Sequence, residues 1–330
     1  MTAASMSRSP GNRSGLRKID TRRDMHAVAD LIEGAFSGSL DPAGRQMLHM
    51  MRKLSRGGWL GWLINYWMLP LAAHPLGFVW EADGHVVGNA SLMKVTGCPG
   101  RWVLSNVAVR PDYRRQGIAR ALVQASIELV RKRREKTILL QVDGDNRGAQ
   151  VLYASFGFRR LTTRTVWVRS VDQSLPTNVK TGPARRRRRG EWQAQWELAR
   201  QVHPEGLIWP YPTAASFFRP HEFVETLSFE RSRHWVWSEA GQMLASLTAR
   251  RGRERRTWRL ILIVDPNAHG RVEVGLLARG LMELPKKGPF VLDYPVGDAE
   301  DELKELGFHP KRTLTWMALE LRGKTSPRRY

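Results

Sequence analysis

Apolar residues recur along this chain with two different spacings, and the spacing changes from segment to segment. Residues 16–19 are read as a first, short strand, and residues 24–32 carry apolar side chains at helical spacing. A second helical pattern, rich in methionine, covers residues 42–54. Two apolar runs within residues 78–93 are joined by an Asp-Gly pair, which predicts a hairpin.

The following segments alternate between strand and helix patterns: a strand at 102–109, a helix at 116–132, a strand at 137–142, a helix at 147–156 and closing strands at 159–169. Pro111 cannot continue a ladder and marks the end of the first of these strands. Because a helix joins the strands at 102–109 and 137–142, we expect these two strands to be parallel. The predicted fold class is mixed α/β, with a sheet that is otherwise mostly antiparallel.

The second half of the chain repeats this order of elements, roughly 150 residues later. The matching segments are 234–242 with 77–85, 258–266 with 102–111, 290–293 with 140–143, and 306–308 with 156–158. The repetition indicates a tandem duplication. We therefore predict a disordered tail at 1–14, a first domain at 15–170, a basic linker at 171–190, a second domain at 191–322 and a basic tail at 323–330.

The composition agrees with two packed domains, because 330 residues and a hydrophobic fraction of 42% suffice for two cores. A single cysteine, Cys98, excludes an intrachain disulfide and favours a reducing, cytoplasmic location. The first fifteen residues lack the apolar core of a signal peptide. The longest apolar run, at 59–73, is too short to span a membrane and contains Pro70.

The net charge of +22 implies attraction to phosphates, nucleic acids or anionic membranes. Two interpretations remain open: a basic but solvated surface, which we favour, or a nucleic-acid partner. The five arginines from Arg185 to Arg189 in the linker could contact nucleic acid. We favour a solvated linker whose charges repel one another.

One stretch, residues 107–122, carries the strongest chemical signal. It reads as a strand, a basic turn that contains Gly117, and then a helix. Such a turn offers backbone N–H groups and the positive end of the helix dipole to an anion. Gly117 allows close approach, and Arg114 and Arg115 add charges suited to phosphate oxygens. The turn matches neither GxxxxGK[ST] nor GxGxxG, so we expect a different pyrophosphate-containing ligand.

The turn has the form R-x-x-G-x-A, and residues 140–158 contain N-x-x-A-x-x-L-Y-x-x-x-G-F. Together the two motifs resemble those of the GNAT superfamily (Gcn5-related N-acetyltransferases). The resemblance implies an N-acetyltransferase that uses acetyl-CoA as co-substrate and holds no metal. The residues that the resemblance assigns to the cofactor are Val107, Ala108, Val109, Arg114, Arg115, Gln116, Gly117, Ile118, Ala119, Asn146 and Tyr153.

Acyl transfer to an amine requires a proton donor for the departing thiolate. By resemblance, Tyr153 is the candidate general acid, because a phenol with a reference pKa near 10 can protonate a thiolate of pKa near 8.5 with little cost. The alternative is a tyrosine that only packs its helix on the sheet.

The general base is open. Ser105 and Asn106 occupy positions where many family members carry a glutamate. The remaining candidates are Glu81, Asp143, Asp145 and an ordered water held by Ser105. Asp143 and Asp145 could equally be surface turn residues, which is the interpretation we favour.

The second domain differs where the chemistry would lie. Val272 replaces the loop glycine, Glu273 stands beside it, and Leu303 is found near the position of Tyr153. Because a glutamate would repel a pyrophosphate, we predict that this domain binds no acyl-CoA.

The acceptor remains open between a small-molecule amine and a protein amino group, and so does the oligomeric state. An alternative function is an acyl-CoA-sensing or nucleic-acid-associated protein with little turnover. The nine histidines form no HExxH pair, and one cysteine cannot build a zinc cluster.

Overall fold

The computed structural model describes residues 14–38, 42–56, 76–95, 98–204, 206–208, 211–220, 231–251, 257–286 and 288–321. The chain divides into two compact units. Unit 1 consists of residues 1–94, 100–140 and 319–330, and unit 2 of residues 95–99 and 141–318. The predicted tails and the apolar run at 59–73 lie outside the described residues. None of the described helices is both long and apolar enough to cross a membrane.

The described part of unit 1 contains five strands, in the order β1-β2-β3-β4-β5, and three helices. Its elements are β1 (Gly15–Lys18), α1 (Met25–Phe36), α2 (Pro42–Arg56), β2 (Leu76–Ala82), β3 (His85–Lys94), β4 (Arg101–Val109), α3 (Ile118–Lys132) and β5 (Thr137–Asp143), of which the residues up to Leu140 belong to this unit. Neighbouring strands are antiparallel except β4 and β5, which pair in parallel from Arg101↔Thr137 to Val103↔Leu139. The predicted parallel pair is confirmed.

Helices α1 and α2 pack on the sheet of unit 1 through an apolar cluster. This cluster includes Val28, Ile32 and Leu48 of the helices and Val79 of β2. An ionic cluster lies next to it. The Arg17 guanidinium contacts Asp24 and Glu81, each at 2.6 Å, and both carboxylates are buried. Because a buried carboxylate is costly unless it is paired, these contacts connect β1, β2 and the start of α1 in one arrangement.

Helix α3 lies close to the sheet because β3 carries Gly88. A Cβ built on Gly88 would lie 2.9 Å from Cγ2 of Ile118 and 3.1 Å from Cδ1 of Leu122. Both side chains belong to the first two turns of α3 and are buried. The absence of a side chain at Gly88 therefore sets the position of the N-terminal end of α3.

Unit 2 contains a sheet in the order β14-β6-β13-β12-β11-β10-β7. Its elements are α4 (Arg147–Ser155), β6 (Arg159–Arg169), β7 (Arg185–Arg186), α5 (Trp192–Val202), β8 (Leu207–Ile208), β9 (Tyr211–Pro212), α6 (Ala215–Phe218), β10 (Arg231–Glu239), β11 (Gln242–Arg251), β12 (Trp258–Val264), α7 (Glu273–Glu283), β13 (Phe290–Pro295), α8 (Glu300–Glu305) and β14 (His309–Glu320), of which the residues up to Ala318 belong to this unit. Strands β12 and β13 are parallel, and β8 pairs with β9 in a separate small sheet.

The run of elements from β10 to β14 repeats the order of the run from β2 to β6, with one helix between the two parallel strands in each case. This agrees with the predicted two-lobed architecture. Strand β6 was expected to close the first domain. It lies inside unit 2, antiparallel to β13 at Val168↔Val291 and to β14 at Thr165↔Thr313. Alternation of apolar residues predicts a strand, but it does not identify the partner strand.

The predicted linker at 171–190 is not a free, solvated segment. Ala184 belongs to the core of unit 2, and β7 pairs with β10. Arg185 donates to both oxygens of Glu191, at 2.6 and 2.9 Å, and Arg186 forms an ion pair with Glu283. Arg185 and Arg186 are thus paired with acidic residues, one of which lies nearly a hundred residues away, and this argues against a linker of self-repelling arginines.

Candidate functional site

The predicted site residues are distributed over both compact units. Ser105 and the residues from Val107 to Ala119 belong to unit 1, whereas Asp143, Asn146 and Tyr153 belong to unit 2. In unit 1 the structure brings the strand and the loop together as one continuous feature.

Strand β4 is paired along only part of one side. Its register with β5 extends from Arg101 to Val103, and no ladder pair with β5 follows within the described residues. From Ser105 to Val109, β4 therefore presents backbone groups along an edge. An extended ligand can add to such an edge by main-chain hydrogen bonds.

A β-bulge interrupts β4 on its other side. Ser105 is opposite Ser91 and Ala108 is opposite Asn89, so β4 has one residue more than β3 between these pairs. Asn106 in this bulge has a φ of 52°, in the left-handed region that few residues other than glycine adopt. The bulge re-orients the peptide between Asn106 and Val107 relative to a regular strand.

The loop that follows β4 has the geometry of an anion site. Arg115 and Gly117 have positive φ values of 62° and 80°, and a Cβ on Gly117 would meet no atom within 4 Å. The first helical bond runs from the Ala121 N–H to the Gly117 carbonyl (3.0 Å), so the N–H groups of Ile118 and Ala119 precede it. No acidic residue lies in the first turn of α3. A pyrophosphate would therefore meet open space, N–H donors and the positive helix end.

The basic side chains of the loop are exposed. Arg114, Arg115 and Gln116 all face solvent, and Nε of Arg114 donates to the Val109 carbonyl at 3.2 Å. Val109 was expected to pair with the cofactor, and its carbonyl already has one protein partner. The guanidinium of Arg114 is thereby held beside both the strand edge and the loop.

In unit 2, Asn146 is the N-cap of α4. Its Oδ1 accepts a hydrogen bond from the Ala149 N–H at 3.0 Å, and the side chain is exposed. The cap uses only the oxygen. Nδ2 remains the group that could donate to a ligand.

Tyr153 lies on the buried face of α4, with its ring edge-on to Phe158 at a centroid distance of 5.8 Å. Burial raises the pKa of the Tyr153 phenol to about 12. Among the described residues no group forms a hydrogen bond with its hydroxyl. Tyr153 is therefore a fully protonated phenol at neutral pH, but a weaker acid than its reference value suggests.

The candidate bases differ in their surroundings. Glu81 accepts from Arg17 at 2.6 Å and from Arg23 at 2.9 Å, and the hydrogen bond from Arg17 lowers the pKa of Glu81 most. A carboxylate stabilised in this way is a poor proton acceptor, which argues against Glu81 among the candidate bases. Oδ1 of Asp143 accepts from the Asp145 N–H at 3.2 Å, as in a turn.

The second lobe is the repeat that runs from β10 to β14. The loop before its helix α7 contains its own anion. The buried Glu273 carboxylate accepts from the N–H groups of Gly270 and Val272, each at 3.1 Å, and from the Tyr294 hydroxyl at 3.0 Å. Burial, followed by the Glu273 charge, raises the pKa of Tyr294. We expected Glu273 only to repel a phosphate; in the structure it also occupies the donors that a phosphate would need.

Sequence reasoning missed Asn89. This residue is fully buried in β3, and its Nδ2 donates to the Asn106 carbonyl of the bulge at 2.8 Å. The only signal in the sequence is an asparagine at an otherwise apolar, buried strand position. It belongs to neither of the two recognised motifs.

Comparison with known proteins agrees with these features. Residues 48–158 match the model of the acetyltransferase (GNAT) family. The [ribosomal protein bS18]-alanine N-acetyltransferase of Escherichia coli strain K12 is 42% identical over 69 residues, which are 21% of this chain and 47% of that protein. A putative enzyme of the same name from Bacillus subtilis strain 168 is 31% identical over 85 residues, 24% of this chain and 50% of that protein. The chain thus spans about half the length of the curated relatives it matches.

Two solved structures resemble nearly the whole chain. A tandem GNAT protein from the clavulanic acid biosynthesis pathway covers 94% of this chain and 99% of its own, with a TM-score of 0.54 and 17% identity. The match to a GCN5-related N-acetyltransferase from Sphaerobacter thermophilus covers 93% of this chain and 96% of that protein, with a TM-score of 0.62 and 16% identity. These likenesses concern the fold. The family match covers the loop and α4, so residues 48–158 form a GNAT-family domain, and the two neighbours share the two-lobed fold of nearly the whole chain.

Proposed function

We propose that this protein is an acetyl-CoA-dependent N-acetyltransferase whose single cofactor site lies in the first lobe. The observation that supports this most is the loop from Arg114 to Ala119, where a left-handed Gly117 faces open space beside the unpaired edge of β4. The residues fit the cofactor. The loop suits its pyrophosphate, and the edge from Val107 to Val109 suits its extended pantetheine arm.

The proposed reaction is direct attack of a neutral amine on the thioester carbonyl. A C–N bond forms, the C–S bond breaks, the nitrogen loses a proton and the thiolate gains one. In unit 1 the protein positions the thioester through the strand edge and the loop. The arginines of the loop balance the charge of the phosphates.

Tyr153 remains our proposed proton donor to the thiolate, and the Nδ2 group of Asn146 our proposed donor to the pantetheine arm. For the proton of the amine we favour a water beside Ser105 over Asp143, whose carboxylate already accepts from a turn N–H. A reducing, cytoplasmic environment is part of the proposal, because Cys98 is a buried thiol.

For the acceptor we propose a protein amino group. The relatives from Escherichia coli and Bacillus subtilis carry the name of ribosomal-protein-alanine N-acetyltransferases, which supports an amine at a protein N-terminus as the first acceptor class to test. A small-molecule amine is the second class.

The test is thiol release from acetyl-CoA with mass spectrometry of the acceptor. Peptides with a free N-terminal alanine, the same peptides with a blocked N-terminus and a lysine side chain, and simple small amines form the acceptor panel. Wild type should acetylate at least one class, and Gly117→Glu should acetylate none. Thiol release no greater in wild type than in Gly117→Glu for every acceptor would contradict the proposal.

The second candidate is an acyl-CoA-binding protein with little turnover. The absence of a glutamate at Ser105 and Asn106 favours it. Its nucleic-acid form loses support because Arg185 and Arg186 have acidic partners within unit 2. Tight binding of acetyl-CoA without acetylation of any acceptor would favour this candidate.

A further inference from the structure

We propose that Asn89 is a positioning residue that fixes the orientation of the Asn106–Val107 peptide, so that the Val107 N–H is presented to the thioester carbonyl of acetyl-CoA. The inference rests on the proposed function, because it concerns the same cofactor site. It assigns a role to a residue outside both family motifs.

The contacts of Asn89 are directed at the bulge. The side chain is fully buried, and its Nδ2 donates to the Asn106 carbonyl at 2.8 Å and to Oγ of Ser91 at 3.1 Å. The amide orientation follows from the first contact, because a backbone carbonyl can only accept. Oδ1 of Asn89 is buried and has no hydrogen-bond partner. An unsatisfied buried oxygen is unfavourable, which argues that the Nδ2 contacts determine the choice of asparagine.

Because the peptide bond is planar, the contact at the Asn106 carbonyl also determines the direction of the Val107 N–H. In a trans peptide the carbonyl and the following N–H point in opposite directions. Since the Asn106 carbonyl points at Asn89 in β3, the Val107 N–H points away from Asn89. The other side of β4 is the edge that lacks a β5 partner at this level. Val107 thus offers its N–H on the side where the cofactor arm is proposed to lie.

The second lobe provides an internal comparison. Ser246 takes the place of Asn89, since each is the fifth residue after the glycine of its hairpin turn. The pairing of β11 with β12 runs from Ala245↔Val264 to Arg251↔Trp258 without a register shift. Asparagine and bulge therefore occur together in the lobe with an open loop. Both are missing in the lobe whose loop holds Glu273.

This role predicts a selective defect. Acetyl-CoA has the thioester carbonyl that would accept from Val107, whereas CoA has none. Loss of the Asn89 contact should therefore weaken the binding of acetyl-CoA. The binding of CoA should be almost unaffected, because the loop still holds the pyrophosphate.

The experiment compares wild type with Asn89→Ser, which copies the second lobe. Calorimetry gives the Kd of acetyl-CoA and of CoA, and infrared spectroscopy follows the stretch of a ¹³C-labelled thioester carbonyl. In wild type, binding should shift the stretch to lower wavenumber. In Asn89→Ser the shift should be lost, with a rise of about tenfold in the Kd of acetyl-CoA and less than about threefold in that of CoA.

Three further variants keep the test decisive. Asn89→Leu keeps the branching at Cγ and has no donor, and it replaces Asn89→Ser if that variant unfolds. Ser246→Ala alters the matching position of the second lobe and should keep the carbonyl shift. Asn106→Gly retains the backbone carbonyl and tolerates the positive φ, so it should also keep the shift.

A carbonyl shift that survives in both Asn89 variants would overturn the inference, and so would equal losses of affinity for acetyl-CoA and CoA. Wild type that binds both compounds without any carbonyl shift would refute the role of Asn89 and leave the proposed function standing. Wild type that binds neither compound would refute the proposed function and the role of Asn89 with it.

Discussion

Tyr153 shows how packing and proton chemistry act on one side chain. The same burial that places its ring against Phe158 raises the pKa of its phenol to about 12. Proton donation to a thiolate of pKa near 8.5 is therefore uphill by more than the reference values suggest. For Tyr153 to donate its proton, the developing negative charge of the thiolate or the bound cofactor must offset this difference in pKa.

Replacing Tyr153 by phenylalanine should lower kcat by roughly 10²- to 10⁴-fold, the usual contribution of a general acid, while the ring contact with Phe158 is kept. Because the free protein keeps the phenol protonated below about pH 12, kcat/KM of wild type should show no alkaline decline from Tyr153 below about pH 11. Steady-state kinetics over pH 6–10 tests both points. A Tyr153→Phe variant with wild-type kcat would leave the tyrosine with packing alone.

His234 makes stability depend on pH. Its Nδ1 lies 3.0 Å from the Thr248 hydroxyl, and burial, reinforced by Arg187 and Arg250, lowers its pKa to about 3. The unfolded chain takes up a proton near pH 6.5 and the folded chain does not. The free energy of unfolding should therefore fall as the pH drops from about 6.5 to about 3, by at most about 1.4 kcal/mol per pH unit from this group.

Chemical denaturation of wild type and His234→Gln at several pH values measures this contribution. The difference between the two proteins should shrink or reverse as the pH falls. His85→Gln, at the exposed first residue of β3, is the matched control and should follow wild type. Parallel pH curves for wild type and His234→Gln would contradict the assignment.

At the scale of elements, the close approach of α3 to β3 determines where the anion loop lies. Gly88 leaves room for Ile118, whose Cγ2 is attached directly to Cβ and moves only with χ1 or with the helix. A methyl group at this point should displace the first turn of α3. That turn carries the N–H groups of the proposed pyrophosphate site.

Gly88→Ala should destabilise the protein by about 1–3 kcal/mol through overpacking and should raise the Kd of acetyl-CoA. Gly34→Ala is the control, because Gly34 lies in α1 with open space around it and alanine should stabilise a helix by about 0.5–1 kcal/mol. Thermal unfolding and calorimetry measure both effects. An unchanged Kd in a destabilised Gly88→Ala protein would separate α3 packing from cofactor binding.

The loop before α7 differs from the anion loop of the first lobe, because the Glu273 carboxylate already occupies its N–H donors. Glu273→Ala removes the acceptor of two backbone N–H groups and one hydroxyl, and should cost roughly 2–4 kcal/mol. Added sulfate should raise the Tm of this variant more than that of wild type, because the donors become available to it. Glu305→Ala, at an exposed position, should show neither effect. Equal responses to sulfate in all three proteins would contradict an internal anion.

At the scale of the whole molecule, local signals were predictable and distant partners were not. The turn at Gly117, the hairpins and the parallel strand pair follow from short patterns. The position of β6 between β13 and β14 depends on partners more than a hundred residues away. Arg186 with Glu283 is a similar case, which made residues 171–190 look like a free linker.

The candidate site shows the same division. The motifs identified the loop and Tyr153, whereas the role of Asn89 depends on which backbone carbonyl its amide reaches across the sheet. Glu273 was noticed as a charge in the sequence. Its function as an internal ligand of the loop depends on side-chain direction, which no spacing rule supplies.

The central claim is one acyl-CoA site per chain, in the first lobe. Calorimetric titration of acetyl-CoA into wild type, Gly117→Glu and Gly270→Glu tests it most directly. Gly270 is the matched control, since it too has a positive φ, 77°, and open space around it, but in the second loop. We predict one site in wild type, none in Gly117→Glu and one in Gly270→Glu. Two sites in wild type, or unchanged binding in Gly117→Glu, would contradict the account.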